Sequence, residues 1–335
     1  MRIEDFDYEL PEELIAQEAI YPRDHCRLMV VYPDGRIEHR YFYNLPEYLN
    51  PGDVLVLNNT RVRPYRLRGK KTTGANIEVL LVRKILENVW EALVNPSRRL
   101  HLGTEVIFDK GLRCRTIEVR EGGWRVLDFN KGVEPYLDEL GEIPLPPYIH
   151  KYVPEKDYQT IYAQVNGSVA APTAGLHFTE RLLEELRIKG VEIIYVTLHV
   201  GPGTFLPVRV EDVEKHYVLP EEIEVSSGSA EAINIARKRG GKVIAVGTTV
   251  VRTLETVSDE EGNVRPFKGK TNLFIYPGYR FKVVDRLITN FHLPRSSLIL
   301  LVSAFRGRDL ILKSYQEAVR LGYRFYSLGD AMLLY

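Results

Sequence analysis

Between Arg66 and Asp128 the chain changes style. Ile77–Val82, Val89–Leu93, Glu105–Phe108, Thr116–Val119 and Trp124–Leu127 are short runs in which apolar and polar residues alternate, separated by Gly, Asn and Asp, with no helix-period segment between them. A period of two puts one face of each strand into a core, and several such strands at close spacing fold as a small barrel or sandwich. On both sides of this stretch strands and helices alternate instead. The Pro-rich run Ile143–Tyr152 (IPLPPYIHKY) leaves it as an extended linker, since Pro removes a backbone donor and restricts its predecessor.

The N-terminal part predicts a short helix over Pro11–Gln17, a strand over Leu28–Tyr32, a tight turn at Pro33-Asp34-Gly35 and a return strand through Ile37–Tyr43. Asn50-Pro51-Gly52-Asp53 then turns into an apolar strand, Val54–Leu57, which stops at four polar residues, Asn58-Asn59-Thr60-Arg61. After the linker, Leu182, Leu183 and Leu186 share one helical face, Gly190 stops that helix, and Val191–Leu198 is a β-branched strand. Ser229–Arg239 reads as an amphipathic helix, Lys242–Val246 as a strand, and Gly247–Glu255 (GTTVVRTLE) as a helix starting at that strand's end. Towards the C-terminus, TNLFIYPGYRF reads as a strand turning at Pro277-Gly278, and Leu287-Ile288 ends another. Pro294 precedes an apolar helix through Phe305, and YRFYSLGDAMLLY is a strand leading to Gly329-Asp330.

Composition narrows the class. With 335 residues and 44% hydrophobic content, the chain has material for one large or two ordinary domains. Its longest apolar stretch, Ser297–Phe305, falls far short of the roughly 20 residues a membrane-spanning helix needs, and the acidic start MRIEDFDYELPEELIAQ has no signal-peptide pattern. A cytoplasmic protein without a membrane partner is therefore expected. Two cysteines, Cys26 and Cys114, exclude a disulfide framework and a cysteine zinc site. Formal charge is zero, yet Arg61–Lys71 (RVRPYRLRGKK) carries six cations and no acid, with further cations at Arg23, Arg27, Arg98, Arg99, Arg113 and Arg115. Cations so grouped, with Tyr65 among them, favour phosphate contact and hence nucleic acid over a merely solvated face.

Two segments spend small residues and histidines where a core would want bulk: GSVAAPTAGLHFT (Gly167–Thr179) and LHVGPGTFLPV (Leu198–Val208). His199 falls at a strand end beside Gly201-Pro202-Gly203. Ligands of open α/β sheets bind in the crevice outside the carboxyl ends of the strands, so that position suits chemistry, although a satisfied structural histidine fits the pattern equally well. The helix begun by Thr248 and Thr249 offers first-turn amides and hydroxyls to a carboxylate or phosphate, with Arg252 one turn on. It is neither a phosphate-binding P-loop, for no Gly-Lys-Ser/Thr follows, nor a dinucleotide fingerprint.

LNNTRVRPYRL, GSVAAPTAGLHFT, LHVGPGTFLPV, GTTVVRTLE, TNFHLPRSSLILLVSAFRG and YRFYSLGDAML, in this order over nearly the whole chain, resemble the S-adenosylmethionine:tRNA ribosyltransferase-isomerase family of queuosine biosynthesis. The resemblance implies an α/β fold: a mixed-sheet main domain made of residues 1–64 plus 150–335, carrying an inserted small all-β barrel at residues 65–149, with the site between the two. It implies transfer and isomerisation of the ribosyl moiety of S-adenosylmethionine onto the 7-aminomethyl-7-deazaguanine base at the tRNA wobble position, giving epoxyqueuosine-tRNA, methionine and adenine. S-adenosylmethionine is then a co-substrate, no metal or other cofactor is needed, the partner is the tRNA anticodon stem-loop, and a monomer without an obligate protein partner is expected. An S-adenosylmethionine-dependent RNA methyltransferase and a non-catalytic RNA-binding module are the alternatives; the missing Gly-rich loop opposes the first and the balanced charge the second. This chain departs from the family at Asn59, where Asp is usual, at Val218-Leu219-Pro220-Glu221, where Met-His-Ser-Glu is usual, and at Cys26, where Ser is usual.

Such a reaction needs a base beside the sulfonium, an acid or hydrogen bond for the departing adenine and donors for the ribose oxygens. Histidine suits the first two because its ordinary pKa lies near ~6.5. His177, His199 and His292 are the catalytic candidates, with base and acid unassigned. For S-adenosylmethionine the candidates are Thr173, Phe178, Gly201, Gly203, Thr204, Phe205, Thr248, Thr249 and Arg252, the last three seating the methionine carboxylate. For tRNA and its base they are Asn58, Thr60, Arg61, Arg63, Arg66, Arg68, Lys70, Asn290, Phe291 and Asp330, with Phe178, Phe205 or Phe291 stacking on a base.

Overall fold

A computed structural model describes residues 1–205, Val208 and residues 210–335. The chain forms two compact units, one of Met1–Arg61, Pro147–Val165 and Ala171–Tyr335, the other of Val62–Pro146 and Asn166–Ala170.

In chain order the first unit supplies strands β1 (Arg27–Val31), β2 (Ile37–Tyr41) and β3 (Val54–Asn58). The second supplies β4 (Arg66–Lys71), β5 (Asn76–Lys84), β6 (Val89–Asn95), β7 (Glu105–Ile107), β8 (Arg113–Val119) and β9 (Trp124–Phe129). The first unit then resumes with α1 (Glu180–Ile188), β10 (Glu192–Leu198), β11 (Glu221–Val225), α2 (Ser227–Lys238), β12 (Val243–Val246) and α3 (Thr248–Val257). It ends with β13 (Phe267–Thr271), β14 (Arg286–Asn290), α4 (Ser297–Arg306), α5 (Arg308–Arg320) and β15 (Ala331–Leu334).

The second unit is a closed barrel. Its six strands run β4-β5-β6-β9-β8-β7, every neighbour antiparallel, and β7 returns to pair with β4. Closure removes the free edges that short strands otherwise expose. Leu67, Ile77, Val79, Leu81, Trp90, Ala92, Leu127 and Phe129 fill its core. β4 is the strand hidden in the basic run: Leu67 and Gly69 point inward, while Arg68 and Lys70 are exposed. Only glycine fits at 69, since an added Cβ would lie 2.8 Å from the Ile107 carbonyl oxygen.

The first unit is built on a nine-stranded mixed sheet, ordered β13-β11-β10-β3-β12-β14-β15-β1-β2. β3 lies near its centre, which is why Val54–Asn58 is buried without a break. Helices α1, α2 and α4 carry a legible start: the hydroxyls of Thr179, Ser226 and Ser296 accept from the amides of Leu182, Ser229 and Ile299. Gly307, at φ +83°, provides the left-handed turn from α4 to α5.

Several sequence expectations shift. Pro11–Gln17 holds only a single 3-10 turn, Glu12–Leu14, because Ile15 is drawn off to bridge Phe325. TNLFIYPGYRF is not a strand: β13 ends at Thr271 and the chain then runs irregularly to a turn at Pro277-Gly278. In the last segment the strand follows Asp330 instead of leading to it. The amphipathic helix α5 buries Ile311, Tyr315 and Ala318, a pattern not singled out above. Among the described residues no helix is long and apolar enough to cross a membrane.

Candidate active site at the carboxyl ends of the strands

β10, β3, β12 and β14 are adjacent and mutually parallel, so their carboxyl ends share one edge of the sheet. That edge presents His199, Asn58 to Thr60, Gly247 with Thr248, and Asn290. At ~4.8 Å per strand the four ends span about 14 Å, the scale of a nucleoside.

Polar contacts run along the whole edge. His199 Nδ1 and the Thr60 hydroxyl share a hydrogen bond of 2.8 Å. Asn58, 1% exposed, donates from Nδ2 to the Leu198 carbonyl and to Thr249 Oγ1, and its Oδ1 accepts from the amides of Leu198 and Thr60. An amide so buried would be costly unpartnered, about 1–3 kcal/mol, and here it ties three strand ends together. Asn59 accepts from the Thr197 hydroxyl at 2.7 Å, a task for an oxygen that a carboxylate would also supply. On β14, Asn290 Nδ2 donates to His177 Nε2 at 3.1 Å and to the Tyr326 carbonyl, while its Oδ1 accepts from Thr173 Oγ1.

His177 ends the 3-10 segment Thr173–His177, whose Ala174 packs over Gly247. Since Asn290 donates to Nε2, Nδ1 carries the ring proton and donates to Cys26 Sγ at 3.2 Å. Burial, aided by Arg23 and Arg324, pushes the His177 pKa down to about 3, so the imidazole is neutral. His199 is only half-buried. Burial lowers its pKa too, with Lys268 helping and Glu222 and Glu224 opposing. His199 Nε2 has no hydrogen-bond partner among the described residues.

Other candidates are absorbed into the fold. His292 shares a bond of 2.8 Å with Thr289, its backbone N–H donates to the Tyr315 hydroxyl, its carbonyl accepts from the Tyr8 hydroxyl, and burial pushes its pKa down to about 3, the setting of a core histidine. Phe178 packs edge-on to Phe42, and Phe291 lies among Tyr315, Tyr323 and Phe325; both are fully buried and neither offers a face to a base. The Asp330 carboxylate accepts from the amides of Arg27 and Arg324 and pairs with the Arg27 guanidinium, which leaves it no role in reading a base.

Arg252 is not an open seat for a carboxylate. Its Nη1 pairs with the buried Glu221 and its Nε donates to the Leu273 carbonyl, although Nη2 is buried without a partner. Glu221 in turn accepts from the Gly201 amide at 2.8 Å, anchoring the turn that contains Gly203. Thr248 and Thr249 are nearly buried at the start of α3. The side chains of Thr204 and Phe205 lie outside the described residues.

Half of the cations in the basic run are paired within the barrel unit. Arg63 meets Asp138 at 3.1 Å, Arg66 meets Glu78 at 3.6 Å, and Arg68 grips Glu142 through two nitrogens. Arg61 and Lys70 are exposed.

Three residues near His177 were not among the site candidates, although Cys26 and Arg23 were noted above for other reasons. Cys26 joins His177 across 151 residues of chain, and Arg23 and Asp157 line a small cavity with both. Cys26 was signalled by its place at a family serine position and Arg23 by its charge; nothing in the sequence singled out Asp157. Among the described residues no group of His, Cys, Asp or Glu is placed to hold a metal ion.

Comparison with known proteins gives consistent results. The description of the family "Queuosine biosynthesis protein" matches residues 3–334. S-adenosylmethionine:tRNA ribosyltransferase-isomerase of Symbiobacterium thermophilum is 56% identical over 340 residues, and that of Thermotoga petrophila 51% over 335, each covering all of both chains. The crystal structure of S-adenosylmethionine tRNA ribosyltransferase from Thermotoga maritima is 41% identical and superposes with a TM-score of 0.58 over 99% of this chain and 100% of that one.

Proposed function

This chain belongs to the queuosine biosynthesis protein family, and from that premise we propose that the edge formed by β10, β3, β12 and β14 is where it transfers and isomerises the ribosyl moiety of S-adenosylmethionine onto the 7-aminomethyl-7-deazaguanine of tRNA. The observation that carries this reading is a pair of polar runs along one sheet edge, one from His199 through Thr60 and Asn58 to Thr249, the other from Thr173 through Asn290 to His177.

The sulfonium acidifies the ribose carbon attached to it, so the first requirement is a neutral base. His199 fits it best. With Nδ1 donating to Thr60, Nε2 holds a free lone pair, and burial keeps the ring unprotonated near pH 7. His177 is held in one tautomer by Asn290, and its Nε2 lone pair is already used, so it serves as a fixed wall and donor. The Glu221–Arg252 pair sets the Gly201-Pro202-Gly203 turn beside His199. Methionine and adenine leave as products, the anticodon stem-loop is the partner, and the protein works in the cytoplasm as a monomer with no cofactor beyond its co-substrate.

The cations of the basic run Arg61–Lys71 supply the phosphate contacts. Lys70 and Arg61 act directly, whereas Arg63, Arg66 and Arg68 must exchange carboxylate partners for phosphate. Neutralising Arg61 and Lys70 together is expected to raise the KM for tRNA and to reduce the slope of log affinity against log salt by about 1.4 to 1.8, at ~0.7–0.9 per phosphate contact. An unchanged salt slope removes the barrel from the tRNA interface.

A further inference from the structure

Asp157 is the charge that neither the fold nor the reaction so far accounts for. Its side chain is nearly buried, at 7% residue exposure, and Oδ1 accepts a hydrogen bond from the Tyr21 hydroxyl. Among the described residues no Lys, Arg or His nitrogen pairs with it, whereas carboxylates this buried are ordinarily paired. Burial accordingly holds its carboxyl above the usual carboxylate range. Arg23 shares the same cavity but is committed elsewhere: its guanidinium donates to the Lys156 and Gln159 carbonyls on either side of Asp157, bracing the loop without neutralising the acid.

The cavity that Asp157 faces is also lined by Cys26, His177 and Ser327. Its free space is about 20 Å³, room for a group the size of a water molecule and far too little for a nucleoside. A compact cation at the tip of a larger ligand fits both the space and the unneutralised carboxylate. We propose that Asp157 receives a primary alkylammonium group of a substrate in this cavity, next to His177. The inference rests on the site reading given above, in which two ligands bring such a group: the methionine portion of S-adenosylmethionine and the aminomethyl arm of the deazaguanine. If the methionine ammonium is the group bound, the reacting atoms lie towards the strand ends; if it is the aminomethyl arm, the bound nitrogen is itself the nucleophile and gives up a proton before it attacks the ribosyl carbon.

Asp157→Asn keeps the shape and the Tyr21 bond while removing the charge. Calorimetric titration of the wild type and D157N uses S-adenosylmethionine alone and two anticodon stem-loops, one carrying the aminomethyl-deazaguanine and one an unmodified guanine. One ammonium-bearing ligand should bind D157N at least about tenfold more weakly, as loss of a charge-assisted hydrogen bond implies, with the other two ligands changed less than about twofold. Which ligand weakens identifies the source. With the wild-type chain, exchanging that ligand's ammonium for a hydroxyl should cost a similar factor, a readout independent of how well the variant folds. Equal affinities for all ligands in both proteins, or an equal loss for all three including the guanine stem-loop, overturns the assignment while leaving the ribosyl-transfer reading in place. Wild-type protein that binds neither S-adenosylmethionine nor stem-loop overturns both.

Discussion

Replacing His199 with alanine is expected to lower kcat by about 10²–10⁴-fold, the usual contribution of a positioned base, while the melting temperature moves by no more than a few degrees. The separation of the two effects follows from its setting. His199 is half-buried and among the described residues makes one side-chain hydrogen bond, to Thr60, so its loss opens no large cavity. His177 differs in kind. It is buried against Phe42 with both ring nitrogens bonded, and its removal strands the amide of Asn290 as well as leaving a void. The pH profile sharpens the test. A base must be unprotonated, and burial depresses the His199 pKa, so the acidic limb of kcat/KM in the wild type should fall below ~6.5 and vanish in the alanine variant. Wild-type turnover in His199→Ala would return the base role to another group.

Arg252→Ala should act on stability first. The Arg252–Glu221 side chains are 13% and 7% exposed, and removing the cation leaves a buried carboxylate whose remaining partner is the Gly201 amide. Breaking a buried pair from one side costs about 3–5 kcal/mol, which for a chain of this size lowers Tm by roughly 4–7 °C. Arg252→Ala/Glu221→Ala should recover part of that loss, because the stranded charge is gone. A direct seat for the methionine carboxylate would behave otherwise: the KM for S-adenosylmethionine would rise steeply at nearly constant Tm. Calorimetric melting beside steady-state kinetics distinguishes the two.

Strands such as β3 and β12 were legible because an apolar run bounded by Gly, Pro or Asn has few other ways to be buried. The barrel was legible as a class for the same reason, yet β4 passed as a basic run, since its outward face is cationic and its inward face includes Gly69. Roles within the site were far less visible. Phe178 and Phe291 look like stacking rings in a site motif, and only tertiary packing shows that they fill cores. His177, His199 and His292 share residue type and motif context, but their partners, Cys26 with Asn290, Thr60, and Thr289, set them in three different surroundings that the sequence does not distinguish. Arg252 reads as a free cation until Glu221, 31 residues away, is found beside it.

The most direct test of the central claim is product analysis by mass spectrometry after incubating the protein with S-adenosylmethionine and tRNA carrying the aminomethyl-deazaguanine. Equal amounts of adenine and methionine, with a matching gain of the ribosyl-derived ring on the tRNA, are predicted. Release of S-adenosylhomocysteine with a methylated tRNA, or tRNA binding with no consumption of S-adenosylmethionine, would contradict it.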